Sequence, residues 1–545
     1  MVNYKHGKIT AIVAVRKGSV RCPNKNIKPF GEDTNLLTLK LKILKKVKNL
    51  DKIIVTTDCD ISKLIGNIMG VTVLTRPDYY CSDMCSGSEM QEYIAKQCST
   101  EHILYSPVTS PFITSEFFEE LIEQYKNLDN NDSIALKSDI KEFLWNNKNP
   151  INYDVKNFPR SQDLDKNIFS INFGCCIIPT KLMIEKKYMV GNSPLFVSNK
   201  TKYANIDIDE ITDFEMANII YKKEFKTNKK LKFIDVTIRD GGFTNNWNWP
   251  YQDVVNLYNL VADLNYEYFE IGYFINENLK EENSGIWRNL PVDILDNFPL
   301  REKCKISVMI DYWKYDIEKL KPRSITKIDL IRVTCYKENI LEGIEYCKKV
   351  KELGYEISFN LIVISYYNTS DLNNLVKLIL EKGRFFDYIC IADSYGNMNT
   401  KKTKEILGYL LSYFNCLEIP IGYHIHENIG NGMNNGLEAI NLGIDVLDTT
   451  LFGIGRGFGN LSMNNILTYL NSVGKVDNSD IFKLFKFCDK FYPDKIQKNI
   501  QNLQGIYNIH PKSFDIIKDD KSLYNTFKNI LNLSEEQKYH YLNFK

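Results

Sequence analysis

KFIDVTIRDGG (232–242) is a short, largely apolar run that stops on Arg239, Asp240 and two glycines. Such a run reads as a β-strand, and the glycine pair marks its end. Seven more runs of the same kind follow: YFEIGY (268–273), KISVMID (305–311), KIDLIRV (327–333), ISFNLIVI (357–364), FDYICIA (386–392), IPIGYHIH (419–426) and DVLDTT (445–450). Mostly helical patterns separate them. Eight β/α units in roughly 250 residues predict a (β/α)8 TIM barrel over 226–475. Arg239, Asp240, Asp393, His424 and His426 fall at the carboxyl ends of their runs, the face on which such barrels place their active sites. Residues 476–545 read as a helical C-terminal appendage.

Upstream, ITAIVAV (9–15), KIIVTT (52–57), VTVL (71–74), HILYS (102–106), SIALK (133–137) and CCIIP (175–179) read as strands. LLTLKLKILKKVKNL (36–50) and SEFFEELIEQYKNL (115–128) carry apolar residues at helical spacing. Strands alternating with helices predict an α/β domain with an open, mainly parallel, Rossmann-like sheet over 1–225. Ligands of such sheets bind at the carboxyl ends of the strands. The basic strip KKEFKTNKKLK (222–232) reads as a solvated linker between the two regions.

The chain has 545 residues, 44% of them hydrophobic and 25% charged, which excludes disordered, collagenous and coiled-coil classes. Its length asks for more than one core. Lys+Arg 69 against Asp+Glu 68 gives a formal charge of +1, so the basic excess of a duplex-binding protein is missing and no nucleic-acid partner is expected. Thirteen scattered cysteines without a C-x-x-C pair suggest reduced thiols and a cytoplasmic location. No run of about twenty apolar residues suggests a membrane span.

AVRKGSVRCPNKNIKPFG (14–31) follows the first strand. Gly18 lets the backbone approach an anion and Ser19 adds a donor. Arg16, Lys17, Arg21, Lys25 and Lys28 offset charge on a leaving pyrophosphate. Asp207 and Asp209, two residues apart in an extended segment, face one side and can share a hard cation with phosphate oxygens. Arg16, Gly18, Ser19, Pro23, Lys25 and Asn26, then TTD (56–58), RP (76–77) with Ser82 and Asp83, TSP (109–111) and NIDIDEITDFEMA (205–217), resemble the acylneuraminate cytidylyltransferase family in the family's order. The resemblance implies that Arg16 and Lys25 hold the CTP phosphates. It places Asn26, Arg76 and Ser82 around the cytidine and gives Mg²⁺ to Asp207 and Asp209. Lys17 and Val20 depart from the family pattern, and SINFG (170–174) lacks the arginine of sialate-specific members. Cytidylyl transfer is therefore implied more firmly than a sialate acceptor.

His424 and His426 alternate on a strand, so both imidazoles face one side and can chelate a divalent ion, with Asp240 as a hard oxygen ligand. An open His-x-His-carboxylate set suits Zn²⁺, Mn²⁺, Mg²⁺ or Co²⁺ as a Lewis acid. D-x-T-x-R-D-G (235–241), E-I-G (270–272), A-D-S-x-G (392–396), H-x-H (424–426) and G-x-G-R-G-x-G-N (453–460) resemble a metal-dependent barrel family. That family includes HMG-CoA lyase, isopropylmalate synthase and 4-hydroxy-2-oxovalerate aldolase. The resemblance implies Asp240, His424 and His426 as metal ligands and Asn460 as a further one. It also implies Arg239 as the enolate stabiliser and Glu270 as its support. Phe243 stands where the aldolases carry a base histidine, leaving the base open between Tyr273 and a bound water.

Together these readings predict a multifunctional enzyme of surface-polysaccharide precursor synthesis, forming a homo-oligomer. One half would add pyruvate or another 2-oxo acid to a sugar aldehyde, or cleave the product. The other would transfer CMP from CTP to an ulosonic sugar acid. Two alternatives stay open: a phosphorylated alditol or phosphonate as the cytidylyl acceptor, or one domain serving as an inactive scaffold.

Overall fold

The computed structural model describes residues 7–534 and 537–538, except 19–20, 32, 199–200, 226–229 and 292. The chain forms two compact units, Met1–Thr227 with Leu411–Glu418, and Asn228–Leu410 with Ile419–Lys545.

In the first unit, β1 (Ile9–Ala14), β2 (Lys52–Thr57), β3 (Thr72–Thr75), β4 (His102–Tyr105), β5 (Ser133–Asp139), β6 (Phe169–Pro179) and β7 (Pro194–Ser198) form one sheet in the order β3-β2-β1-β4-β6-β5-β7. Only β6 runs antiparallel, against β4 and β5. The chain steps outward from β1 through β2 to β3 on one side, then crosses back to β4 on the other side of β1. The crevice between β1 and β4 is thus the switch point at which open α/β sheets bind ligands. The strand expected over 175–179 is longer, because SINFG continues the ladder as part of β6. The five residues of β7 had no reading in the sequence. The strip at 222–232 is partly helical, since the helix Ile211–Glu224 runs into it; residues 226–229 of it lie outside the described residues.

In the second unit, β8 (Lys232–Asp235), β9 (Tyr268–Phe274), β10 (Lys305–Asp311), β11 (Leu330–Cys335), β12 (Glu356–Leu361), β13 (Tyr388–Asp393), β14 (Ile421–Ile425) and β15 (Val446–Thr449) close into a parallel eight-stranded barrel. Its interior is layered. Ile234, Tyr268, Leu330, Tyr388 and Val446 form an apolar layer. Two residues further along their strands, Glu270, Arg332 and Asp448 are buried above it. The helices Asn478–Phe491, Ile496–Ile506, Pro511–Ile517 and Leu523–Leu531 follow, with Leu484, Phe485, Phe527 and Ile530 buried.

β8 stops three residues before the expected Ile238. The Asp235 carboxylate accepts from the Thr237 amide at 3.1 Å and from the Thr237 hydroxyl at 2.6 Å. That local bond competes with the ladder and turns Thr237–Gly241 into a short helix. In β9 the register with β10 shifts between Glu270 and Gly272, so Ile271 is a bulge residue, a device that re-aims neighbouring side chains. Gly272 passes beneath the backbone of Trp287, where a Cβ would overlap the Trp287 carbonyl oxygen. Gly272→Ala is expected to destabilise the barrel by about 1–3 kcal/mol in chemical denaturation. Gly505→Ala, on an exposed helix face with open space around it, is expected to be neutral or stabilising. Equal effects would contradict this packing.

Candidate active sites

The turn after β8 carries Arg239 and Asp240 into the carboxyl end of the barrel, where both are buried. Asp240 Oδ2 lies 3.3 Å from His424 Nε2 and 3.5 Å from His426 Nε2, and the three ligand atoms fall within 4.8 Å of one another. The partners of the other ring nitrogens settle the tautomers. His424 Nδ1 faces Asp448 Oδ2 at 2.9 Å and His426 Nδ1 faces the Asp393 carbonyl at 3.0 Å. A carboxylate and a carbonyl only accept, so both Nδ1 atoms carry the proton and both Nε2 atoms present lone pairs. Two lone pairs and an Asp240 oxygen that accepts no hydrogen bond among the described residues therefore converge on one point. Asn460, bridged to His426, adds another buried oxygen without a hydrogen-bond partner among the described residues. A set of acceptors lacking a donor is the arrangement a divalent cation satisfies.

Around this point the charges form a closed ring. Arg239 Nε donates to Glu270 Oε2 at 2.6 Å, and Arg239 Nη1 lies 3.1 Å from Asp240 Oδ1. Arg332 reaches Glu270 Oε2 at 3.3 Å and Asp448 Oδ2 at 2.6 Å, and Asp448 leads back to His424. Burial opposes ionisation of Asp240, but the adjacent Arg239 guanidinium outweighs it and holds its carboxyl well below the usual range. Burial also disfavours charge on His424, yet Asp240 and Asp448 outweigh it and raise its pKa. Arg239 Nη2 and Glu270 Oε1 remain buried without partners among the described residues, so the guanidinium keeps a donor for a bound oxyanion. Phe243 is half exposed and offers no proton. Burial raises the Tyr273 hydroxyl pKa well above the usual phenol value, against the opposing charge of Arg239.

In the first unit the loop after β1 meets the ends of β2, β3 and β4. Arg16 donates to the Cys81 carbonyl at 3.0 Å and pairs with Asp83 at 2.9 Å, beside Ser82, whose hydroxyl donates to the Tyr79 carbonyl at 2.7 Å. Asn26 is buried and donates to the Arg16 carbonyl at 3.0 Å. Gly18 stands in open space; Ser19 lies outside the described residues. Arg76 is buried, with Nη2 donating to the Val15 carbonyl at 2.5 Å and Nε to Cys81 Sγ at 3.0 Å. It braces the end of β1. Lys25 donates to the Ile208 carbonyl at 2.6 Å and lies 3.6 Å from Asp209, which Arg21 also meets at 3.2 Å. Ile208 is buried between exposed Asp207 and half-exposed Asp209, and its amide bonds the Thr109 carbonyl. The acidic segment and the basic loop are thus held together at the switch point. Beneath them Lys40 is fully buried, donating to Ser106 Oγ and the Ser110 carbonyl. Burial pushes its pKa down to about 7.

Residues 10–165 match the family model described as Cytidylyltransferase, and residues 328–489 match the one described as HMGL-like. The chain joins a cytidylyltransferase domain to an HMGL-like aldolase or lyase domain. Aldolases of that group depend on a divalent metal. A 4-hydroxy-2-oxovalerate aldolase of Brevibacillus brevis is 22% identical over 256 residues, covering 47% of this chain and 74% of that relative. One from Pelotomaculum thermopropionicum is 31% identical over 140 residues, covering 26% and 40%. A solved HMG-CoA lyase from Brucella melitensis is 16% identical, covering 48% of this chain and 97% of that one, with a TM-score of 0.38. The matched segments of the two family models include Arg16 to Arg76 and His424 to Asn460, but neither Asp207 and Asp209 nor Arg239, Asp240 and Glu270.

Arg332 and Asp448 had no part in the sequence reading. Their only signal is a charge at an inward position of a barrel strand, one step beyond an apolar layer residue. Asp448→Asn keeps the shape but removes the charge between Arg332 and His424. The expected cost is about 3–5 kcal/mol of barrel stability, because a buried cation loses its partner. A loss below about 1 kcal/mol in denaturant titration would contradict the ring.

Proposed function

We propose that the chain carries out two steps toward an activated sugar acid: aldol addition of pyruvate to an aldehyde, or its reverse, and transfer of CMP from CTP to an ulosonic acid. The observation that carries the barrel half is the convergence of His424 Nε2, His426 Nε2 and Asp240 Oδ2 beside an unpartnered Arg239 Nη2. Asp240, His424 and His426, with Asn460, would hold the divalent ion. When bound, that ion polarises the keto and carboxylate oxygens of a 2-oxo acid. Arg239 supplies fixed positive charge where enolate charge develops on the substrate. Glu270 and Asp240 hold the guanidinium in place, so little reorganisation is needed. Asp448 keeps the His424 tautomer that turns Nε2 inward.

In the first unit, Arg16 and Lys25 would hold the triphosphate, with Gly18 and Ser19 giving backbone access. Asn26 and Ser82 would border the cytidine, with Arg76 bracing that wall. Asp207 and Asp209 would share Mg²⁺ with the phosphates. Lys25, held between the Ile208 carbonyl and Asp209, would meet charge on the departing pyrophosphate. A second reading, a phosphorylated alditol or phosphonate acceptor, draws support from SINFG. Asn172 there bonds Ser138 at 3.1 Å and Asn205 at 3.4 Å, and no arginine is present.

The test joins two assays on the full chain. With Mn²⁺ present, the protein is expected to exchange the methyl protons of pyruvate for solvent deuterium, and Arg239→Ala is expected to suppress the exchange. With CTP and a panel of ulosonic acids and alditol phosphates, pyrophosphate release is expected from one acceptor class. Lys25→Ala is expected to cost about 2–4 kcal/mol of transition-state stabilisation there. No exchange with the ion bound would overturn the pyruvate aldolase reading. Release with alditol phosphates alone would replace the first acceptor reading by the second.

A further inference from the structure

Arg288, in the segment after β9, stands outside the charge ring and yet is only 4% exposed. Its guanidinium carbon lies 4.5 Å from the centroid of the Trp247 ring and 4.6 Å from that of Tyr273. Nε and Nη2 each donate to Glu281 at 2.8 Å. Nη1 has no hydrogen-bond partner among the described residues. The two rings stand at 82° to each other with centroids 5.9 Å apart, so they flank the guanidinium from adjacent sides, and a guanidinium donates hydrogen bonds only in its own plane. Here one edge is taken and the other is not.

The same two rings tie Arg288 to the barrel mouth. The Trp247 indole N–H donates to the Arg239 carbonyl at 2.7 Å, and the Arg239 guanidinium carbon lies 5.9 Å from the Tyr273 centroid. The chain accepts strain to hold this wall. Asn246 and Trp247 are consecutive non-glycine residues at φ +54° and +57°, a conformation that costs free energy at each. The Gly285 amide donates to the Asn246 carbonyl at 2.7 Å, and a Cβ on Gly285 would overlap Trp247. Glu281 is 54% exposed, so solvent screens its charge at the outer edge, whereas the guanidinium itself is desolvated.

We propose that Arg288 is an anion subsite at the barrel mouth, holding the carboxylate or phosphate of the aldehyde that is joined to the 2-oxo acid. The aldehyde would then be a charged one, such as a phosphorylated sugar or an aldehyde acid. This rests on the aldolase reading above and narrows its acceptor. A neutral aldose would offer this free guanidinium edge no charge to pair with.

Calorimetric titration tests it without turnover, so the subsite and the aldolase reading can fail separately. The probes are D-glyceraldehyde 3-phosphate, succinic semialdehyde and uncharged D-glyceraldehyde, added to the full chain with Mn²⁺ and without pyruvate, so that no aldol step can proceed. Comparing wild type with Arg288→Met isolates binding that depends on this guanidinium from binding elsewhere on the chain. Arg288→Met is expected to weaken one or both charged probes about tenfold or more and to spare D-glyceraldehyde. Arg288→Lys is expected to recover part of the loss. Glu281→Gln removes the competing carboxylate while keeping its shape, and is expected to tighten the charged probes about threefold or more. A purely structural Arg288 would respond otherwise, with Glu281→Gln weakening all three probes or moving none, and either result would overturn the proposal. The phosphate and carboxylate arms show which group the subsite takes. If Arg288→Met does not fold, the sign of the Glu281→Gln effect decides alone. Absence of pyruvate proton exchange in the wild type would instead remove the aldolase reading.

Discussion

Six ionisable side chains close on themselves at the carboxyl end of the barrel: Asp240, Arg239, Glu270, Arg332, Asp448 and His424. Each is almost fully buried. Taking such charges out of water costs several kcal/mol per ion unless each finds partners. Here every cation lies between two acids. Asp240 holds Arg239 on one oxygen, and its other oxygen faces the two imidazoles. With His424 neutral, three carboxylates face two guanidiniums, leaving one negative charge in excess beside three converging acceptors. That excess gives the carboxyl face of this barrel its appetite for a cation. It also makes every member of the ring hard to replace.

The backbone follows from the same requirement. The Asp235–Thr237 bond ends β8 early, so that Arg239 and Asp240 ride on a helical turn and enter the barrel from its rim. The bulge at Ile271 lets Glu270 and the residues after it share the strand's exit. Asp393 supplies its carbonyl to His426, and its carboxylate accepts from the amides of Asn397 and Met398, capping the turn that follows β13. The D-x-T, E-I-G and A-D-S-x-G motifs thus each have a structural task next to the chemical one.

The barrel was legible because its strands are apolar runs closed by polar residues, and because His-x-His at a strand end has few structural uses. Arg332 and Asp448 were not, since one charge within an apolar run looks the same whether it points to water or into the interior. The end of β8 was misjudged because VTI reads as strand; only the Asp235 side chain converts it to a turn. In the first unit the basic loop and the Asp207–Asp209 pair were legible from residue types. Lys40 was hidden among the lysines of one amphipathic helix, of which it is the one with no exposure. Arg76 shows the limit of a motif: the resemblance puts it around the cytidine, but its guanidinium is committed to the backbone of β1 and to Cys81.

Manganese titration followed by electron paramagnetic resonance, on the full chain without nucleotide, tests the central claim most directly. The account expects one tightly bound ion per chain, lost in the double variant His424→Ala with His426→Ala while the circular dichroism spectrum is retained. The ion should survive Asp207→Asn with Asp209→Asn, which removes only the acids of the other unit. Retention of the tight ion after both histidines are removed, or its loss with the two aspartates, would contradict a metal site at the barrel mouth.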